Sequence, residues 1–181
     1  MHLLIYIFSY PIIKIISLLP FRIIYILSST FSLLLRNIFR YRLDTVRKNL
    51  KLVFPEKSSN EIIKIEKDFY KHFSDISFES IKAYGMTKSE MNSRYKYENI
   101  ELLHQIQKKS KNFIIICGHY SNFEWLLSIG YNVKGNGYGI YTPMSNKFFN
   151  NLFKKIRKKH NAYLISRYRI DDFIQNINPN K

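Results

Sequence analysis

Two side chains that could do acid–base chemistry stand close together in "GHYSNFEW", Gly118–Trp125. His119 and Glu124 are separated by four residues, and the apolar run "NFIIIC", Asn112–Cys117, leads directly into them. Histidine changes charge nearest to neutral pH. A carboxylate bound to one ring nitrogen leaves the other free to act as a general base. On one regular helix a five-residue step turns about 140°, which holds the two groups apart. They can meet if His119 lies in a strand–helix loop, bent at Gly118, and Glu124 lies in the first turn of the helix. With no serine between base and substrate, such a pair would deprotonate a substrate hydroxyl directly. Acyl transfer from a thioester to an alcohol is the reaction class that needs this. The spacing alone also fits a loop histidine beside a helix-surface carboxylate, so it leaves both readings open.

The elements around the pair have a regular order. Asn112–Cys117 reads as a buried strand and "FEWLLSIGY" as a helix. Tyr138–Tyr141 reads as a short strand between glycines and Pro143. Ser145–Asn161 reads as a basic amphipathic helix capped by Ser145, with Phe148, Phe149, Leu152, Phe153 and Ile156 on one face. "AYLIS" is strand-like and "YRIDDFIQNI" helix-like. This β-α-β-α-β-α order predicts an α/β domain with a mainly parallel sheet and flanking helices. Ligand loops in such sheets lie past the carboxyl ends of the strands, where His119 falls. A further buried strand is expected after "NPNK", so the stretch reads as the first part of a domain, C-terminally incomplete. Upstream, Ser58 and Glu61 form a capping-box pattern. Ile62, Ile65, Phe69, Phe73 and Ile76 then mark one face of a helix, with His72 as an ordinary boundary histidine.

Residues 1–35 carry only two charges, Lys14 and Arg22, and the first acid is Asp44. Leu3–Leu35 is too long for the apolar part of a signal peptide and lacks its basic start and cleavage site. Its uncharged stretches, Leu3–Ile13 and Ile23–Leu35, are 11 and 13 residues long, short of a clean span. A single tilted span with a snorkelling Lys14 or Arg22 and a helix pair lying in the membrane surface both fit. So does a buried helix pair. The basic flank Arg36–Lys51 places the rest on the cytoplasmic side of an inner membrane. The expected organisation is an anchor with its basic flank over 1–42, a helical lead-in over 43–100, and the first part of the α/β domain over 101–181.

The net charge of +16 calls for an anionic partner. Between Glu124 and Asp171 there are nine lysines and arginines and no acid. Arg157 and Arg167 suit bidentate phosphate contacts, whereas Lys154, Lys155, Lys158 and Lys159 suit a helix face on anionic lipid. A basic membrane-surface binder without catalysis is therefore an alternative, as is an inactive remnant. A nucleic-acid binder is disfavoured by the apolar N-terminus and the lack of an RNA-binding signature. The lone Cys117 permits no intrachain disulfide, and nothing marks it as a reactive thiolate. His160, after a basic run, reads as a capping or surface residue.

Three blocks carry a family resemblance. "GHYSNFEW", "YTPMSNKFFNNLFKKIRKKHNAYLISR" and the lead-in "YRLDTVRKNLKLVFPEKS" resemble, in order, the lipid A biosynthesis lauroyl/myristoyl acyltransferases of the lysophospholipid acyltransferase superfamily. Glu rather than Asp at 124 leans away from the glycerolipid acyltransferases, the nearest rival with the same chemistry. The resemblance implies a glycerolipid acyltransferase-like fold, His119 as general base and Glu124 as its orienting partner. It implies Arg157, Arg167, Tyr141 and Asn146 around the substrate, the last two within "Y-x-P-x-x-N". The implied donor is an acyl thioester on acyl carrier protein. The implied acceptor is a hydroxyl of an anionic, phosphorylated glycolipid in the membrane. No metal or redox cofactor is implied.

Overall fold

The computed structural model describes residues 2–109, 112–160 and 162–176. These residues are mostly helical, with a small two-stranded parallel sheet. They form two compact units: Met1–Lys14 with Ala83–Lys181, and Ile15–Lys82.

In the first unit, β1 (Gly137–Tyr141) and β2 (Ala162–Ser166) pair in parallel, with Gly137 opposite Ala162 and Tyr141 opposite Ser166. The crossover between them is α7 (Lys147–Lys159), which buries Leu152 and Ile156 and turns its lysines outward. Its start is capped by Asn146, whose side-chain oxygen accepts from the amides of Phe148 (3.0 Å) and Phe149 (3.4 Å). The cap expected at Ser145 is therefore one residue early. Residue 161, the expected helix end, and residues 177–181, which hold "NPNK", lie outside the described residues.

The run Asn112–Cys117 forms no strand; it has no regular secondary structure and no ladder partner among the described residues. Ile114 and Ile116 are 89% and 92% exposed, and Cys117 is exposed too. The expected buried first strand is thus absent. Phe123–Tyr131 follows as a 3-10 helix rather than an α-helix. The remaining helices are α5 (Lys88–Arg94), α6 (Ile100–Lys109) and α8 (Ile170–Asn176). The first residues of α1 (His2–Leu18) also belong here, where Tyr6 packs on Phe148 and Phe149 at 5.4 and 5.7 Å between ring centres.

In the second unit, α2 (Phe21–Leu33) and α4 (Ser59–Lys82) pack along each other. A π-helical turn, Leu34–Ile38, prolongs α2, and α3 (Leu43–Val53) covers the far end of α4. Phe21–Ile38 together is long and apolar enough to cross a membrane. The capping box forms as read: Ser58 donates its amide (2.9 Å) and hydroxyl (2.8 Å) to Glu61 Oε2, and the Glu61 amide returns to Ser58 Oγ at 3.4 Å.

The buried stripe of α4 differs from the apolar one. It comprises Ile62, Glu66, Tyr70, Ser74 and Lys82, while Phe69 and Phe73 are 41% and 38% exposed. The reason is polar complementarity with α2: Tyr25 donates to Glu79 (2.7 Å) and Ser28 to Asp75 (2.5 Å). The outward residues of α2 are Ile23, Ile26, Leu27 and Leu33. The two helices therefore turn several hydroxyls and carboxylates toward each other, and α2 keeps large apolar side chains outward.

Glu66 is the most consequential buried charge. Its carboxylate, without solvent exposure, accepts from Arg36 Nε at 2.8 Å and Arg47 Nε at 2.6 Å. Burial pushes its pKa up, but the hydrogen bond from Arg47 and the charges of Arg36 and Arg47 outweigh it and hold it below the ordinary carboxylate value. A depressed folded pKa means stability that is complete above the unfolded carboxylate value and lost as pH falls through the folded one. Glu66→Gln leaves two arginines without their counter-charge. Discounting for the exposed Arg47, the cost at pH 7 is about 2 kcal/mol, or roughly 4–8 °C in Tm. Circular-dichroism melts in detergent should show that loss at pH 7 and a smaller difference from wild type below pH 4.

Candidate active site

The 3-10 helix sets the site. Its three-residue repeat aligns Asn122, Trp125 and Ser128, all buried. Asn122 caps it by accepting from the Trp125 amide at 3.3 Å. Tyr97 anchors the same side, its hydroxyl lying 2.9 Å from the Leu126 carbonyl and 2.8 Å from Ser128 Oγ. Burial drives the Tyr97 phenol pKa up. On the sheet side Gly139 allows close approach, since a Cβ there would stand 3.3 Å from Leu127 and 3.4 Å from Leu164.

The loop entering this helix bends at Ser121, whose φ is +51°, and not at Gly118 as the sequence suggested. Among the described residues Gly135 is the glycine with positive φ. His119 is exposed, with its ring 4.4 Å from that of Phe123. Glu124 sits in the first turn of the 3-10 helix.

The partner of Glu124 is Arg157. Arg157 Nε donates to Oε2 at 2.9 Å and Nη2 to Oε1 at 2.6 Å, and both side chains are more than four-fifths buried. Both carboxylate oxygens are thus held by one rigid fork. Among the described residues no hydrogen bond joins Glu124 to His119. Arg167 stands elsewhere, exposed, with its guanidinium 4.7 Å from the Tyr168 ring centre.

Tyr141 ends β1, with the Lys154 ammonium 5.5 Å from its ring centre. Burial acts to raise its phenol, but hydrogen bonds from Lys154 and Asn150 and the charges of Lys154 and Arg157 hold it below its ordinary pKa. Asn146 is spent on capping α7. Lys159 is not wholly solvated: its ammonium donates to the Tyr84 carbonyl at 2.8 Å. No group of three or more His, Cys, Asp or Glu among the described residues is placed to hold a metal ion.

His160 is the buried histidine, 3% exposed, and it caps the end of α7. Its Nε2 lies 3.2 Å from the Ala83 carbonyl and its Nδ1 lies 3.0 Å from the Tyr131 hydroxyl. A carbonyl only accepts, so Nε2 carries a proton. The surface role open from sequence does not apply. The sequence did signal the Asn122 cap, an Asn directly before an apolar run. Nothing in residue spacing could reveal that Arg157 would reach Glu124 across 33 positions.

A family model described as bacterial lipid A biosynthesis acyltransferase matches residues 2–181. No curated protein and no solved structure matches the chain.

Two outcomes follow from the geometry. Arg157→Gln should cost about 1–3 kcal/mol, since it leaves a partly buried carboxylate underpaired. Arg157→Lys should recover only part of that, because an ammonium cannot reproduce the fork; melting temperatures rank the three proteins. His160 tests separately. Burial, aided by the Lys159 charge, lowers its pKa against the raising effect of the Ala83 carbonyl. The unfolded chain then binds a proton that the fold refuses. Stability is complete above the unfolded histidine value, near 6.5, and falls as pH drops below it. In a His160→Gln protein, urea midpoints between pH 7 and pH 5 should change less than in wild type.

Proposed function

The chain belongs to the bacterial lipid A biosynthesis acyltransferase family, and from that premise we propose that it moves a fatty acyl group from an acyl-carrier-protein thioester to a hydroxyl of a phosphorylated lipid A precursor. The family match over residues 2–181 carries this reading. His119 takes the acceptor's hydroxyl proton as the oxygen attacks the thioester carbonyl. The C–O bond forms, the C–S bond breaks, and the departing thiolate takes the proton from the imidazolium.

Glu124 orients and stabilises that imidazolium, but in this structure it is bound to Arg157. The two roles are compatible if the acceptor's phosphate takes Arg157. A phosphate matches the guanidinium fork as well as a carboxylate does, and the exchange frees Glu124 for His119. The dyad then assembles only when the anionic acceptor is bound. Arg167 and the lysines of α7 supply further positive field for the acceptor and the acidic carrier protein. Tyr141 and Asn146 shape the loop between them.

The outward apolar faces of α1 and α2 support attachment to a membrane. The basic flank after α2 favours the cytoplasmic face of the inner membrane.

The test is acyl transfer in detergent-solubilised membranes, from acyl-carrier-protein thioesters to an under-acylated precursor, read by intact lipid mass. His119→Ala should lower turnover by roughly 10²–10⁴-fold, and Glu124→Ala should lower it severely. Arg157→Gln should raise KM for the phosphorylated acceptor and have less effect on a dephosphorylated one. Near-wild-type turnover of His119→Ala would end the general-base mechanism. Transfer to lysophospholipid but not to the precursor would move the acceptor to the glycerolipid class.

A further inference from the structure

The segment that follows the apolar helix carries a second feature, made of residues that the acyl-transfer reading does not use. Residues 36–51 hold six lysines and arginines against one acid, Asp44. Arg36 and Arg47 are tied to Glu66. Arg40 and Arg42 are exposed, and neither guanidinium has an ion-pair or hydrogen-bond partner among the described residues.

Both are held in an unusual backbone. Arg40 has φ of +47° and Arg42 of +52°, the left-handed region where a side chain crowds its own carbonyl. Glycine or asparagine would sit there at less cost. The turn is fixed from below, since Tyr70 donates to the Tyr41 carbonyl at 2.6 Å. Strain at two charged residues, kept in place by a buried tyrosine, points to use of their side chains.

Behind the turn lies a hollow of about 130 Å3 lined by Tyr41, Arg42, Val46, Phe69 and Phe73. Tyr41 stacks on Phe73, and Phe73 on Phe69, each pair at 6.1 Å between ring centres. The hollow is open and aromatic, and Arg42 lines it with its guanidinium 5.9 Å from the Tyr41 ring centre; Arg40 is two residues before Arg42 in the same turn. Along the chain the exposed Ile38 and Phe39 join the hollow's Tyr41 and Arg42 to the apolar helix Phe21–Ile38. A ligand suited to both parts carries an anionic phosphate and an apolar chain. The continuity with the apolar helix selects a lipid of the surrounding bilayer over a soluble phosphate.

We propose that Arg40 and Arg42 bind the phosphate of an anionic membrane phospholipid whose apolar part lies on Tyr41, Val46, Phe69 and Phe73. This site holds the end of the apolar helix at the headgroup level.

The test titrates phosphatidylglycerol, phosphatidylcholine and inorganic phosphate onto the full chain in neutral detergent and counts retained ligand by native mass spectrometry. Arg40→Gly/Arg42→Gly removes the charges and relieves the backbone, so its Tm should equal or exceed that of wild type. Its phosphatidylglycerol affinity should fall about tenfold or more. Phe69→Ala/Phe73→Ala changes exposed rings and should lose affinity as well. The charge-matched Lys108→Gln/Lys109→Gln, on the exposed end of α6, should bind as wild type does. Three results overturn the proposal: unchanged binding by the glycine pair, an equal loss in the lysine control, or equal retention of phosphatidylcholine. Inorganic phosphate bound as tightly as the lipid, with no effect of the phenylalanine changes, would reduce the site to a bare phosphate contact and also overturn it.

Discussion

The bidentate contact between Glu124 and Arg157 fixes the geometry around the site. It ties the first turn of the 3-10 helix to the last turn of α7. The far end of the same 3-10 helix is tied to α7 again, where the Tyr131 hydroxyl donates to the Lys159 carbonyl at 3.0 Å and meets His160. Two polar clasps therefore join both ends of the 3-10 helix to the last residues of α7, Arg157 and Lys159–His160, while Leu152 and Ile156 are the buried apolar residues of α7. α7 is also the crossover between β1 and β2, whose parallel ladder fixes their own spacing. Gly139 then permits the 3-10 helix to lie close against the sheet. An ion pair more than four-fifths buried on both sides is screened far less than a surface pair, so it can act as a structural clasp and as a chemical latch at once.

The other unit has a different economy. Its interior contains Glu66, Ser28, Ser74 and Lys82, which an ordinary apolar core would exclude. Each polar contact there substitutes for water: Lys82 donates to the Ser17 carbonyl at 3.1 Å, and Ser28 donates to Asp75. Beside these bonds the same interior buries Phe21, Ile24, Leu43, Ile62 and Tyr70, which supply its hydrophobic contribution. Directional bonds set its register, and Arg36 on Glu66 pins the end of the apolar helix to the middle of α4. That makes the turn Phe39–Arg42 a fixed platform.

What the sequence disclosed depended on how local the cause was. The Ser58–Glu61 capping box is contained in four residues and formed as read. The amphipathic α7 was legible for the same reason, since its apolar positions recur every turn, and β1 and β2 lie where glycines and β-branched residues placed them. Ser145 and Asn146 are both good caps, and only the backbone decides between them. The apolar stripe of α4 marks one face of a helix, but periodicity reports which residues are apolar and not which side is covered. Phe69 and Phe73 satisfy the pattern yet face outward, since α2 offers α4 a polar surface. The 3-10 helix left a trace, the three-residue repeat Asn122, Trp125, Ser128, but its apolar residues fit an α-helix equally well. The chemistry that suits Arg157 to a phosphate also suits it to a carboxylate, here that of Glu124. Which of the two it holds is a property of the fold.

Asn112–Cys117 shows the same limit from the other side. Its composition is that of a buried strand, but a strand also needs a ladder partner for its amides and carbonyls. Among the described residues it has none, so Ile114 and Ile116 remain exposed. His119 follows directly and shares that lack of support: its described neighbour is the Phe123 ring. Glu124, five residues on, is held by two hydrogen bonds and a capped helix. The proposed dyad thus joins one firmly placed member and one lightly placed member. Catalytic alignment would then come from moving the lighter group, so it is the imidazole that must come to the carboxylate once Arg157 is taken up by the acceptor.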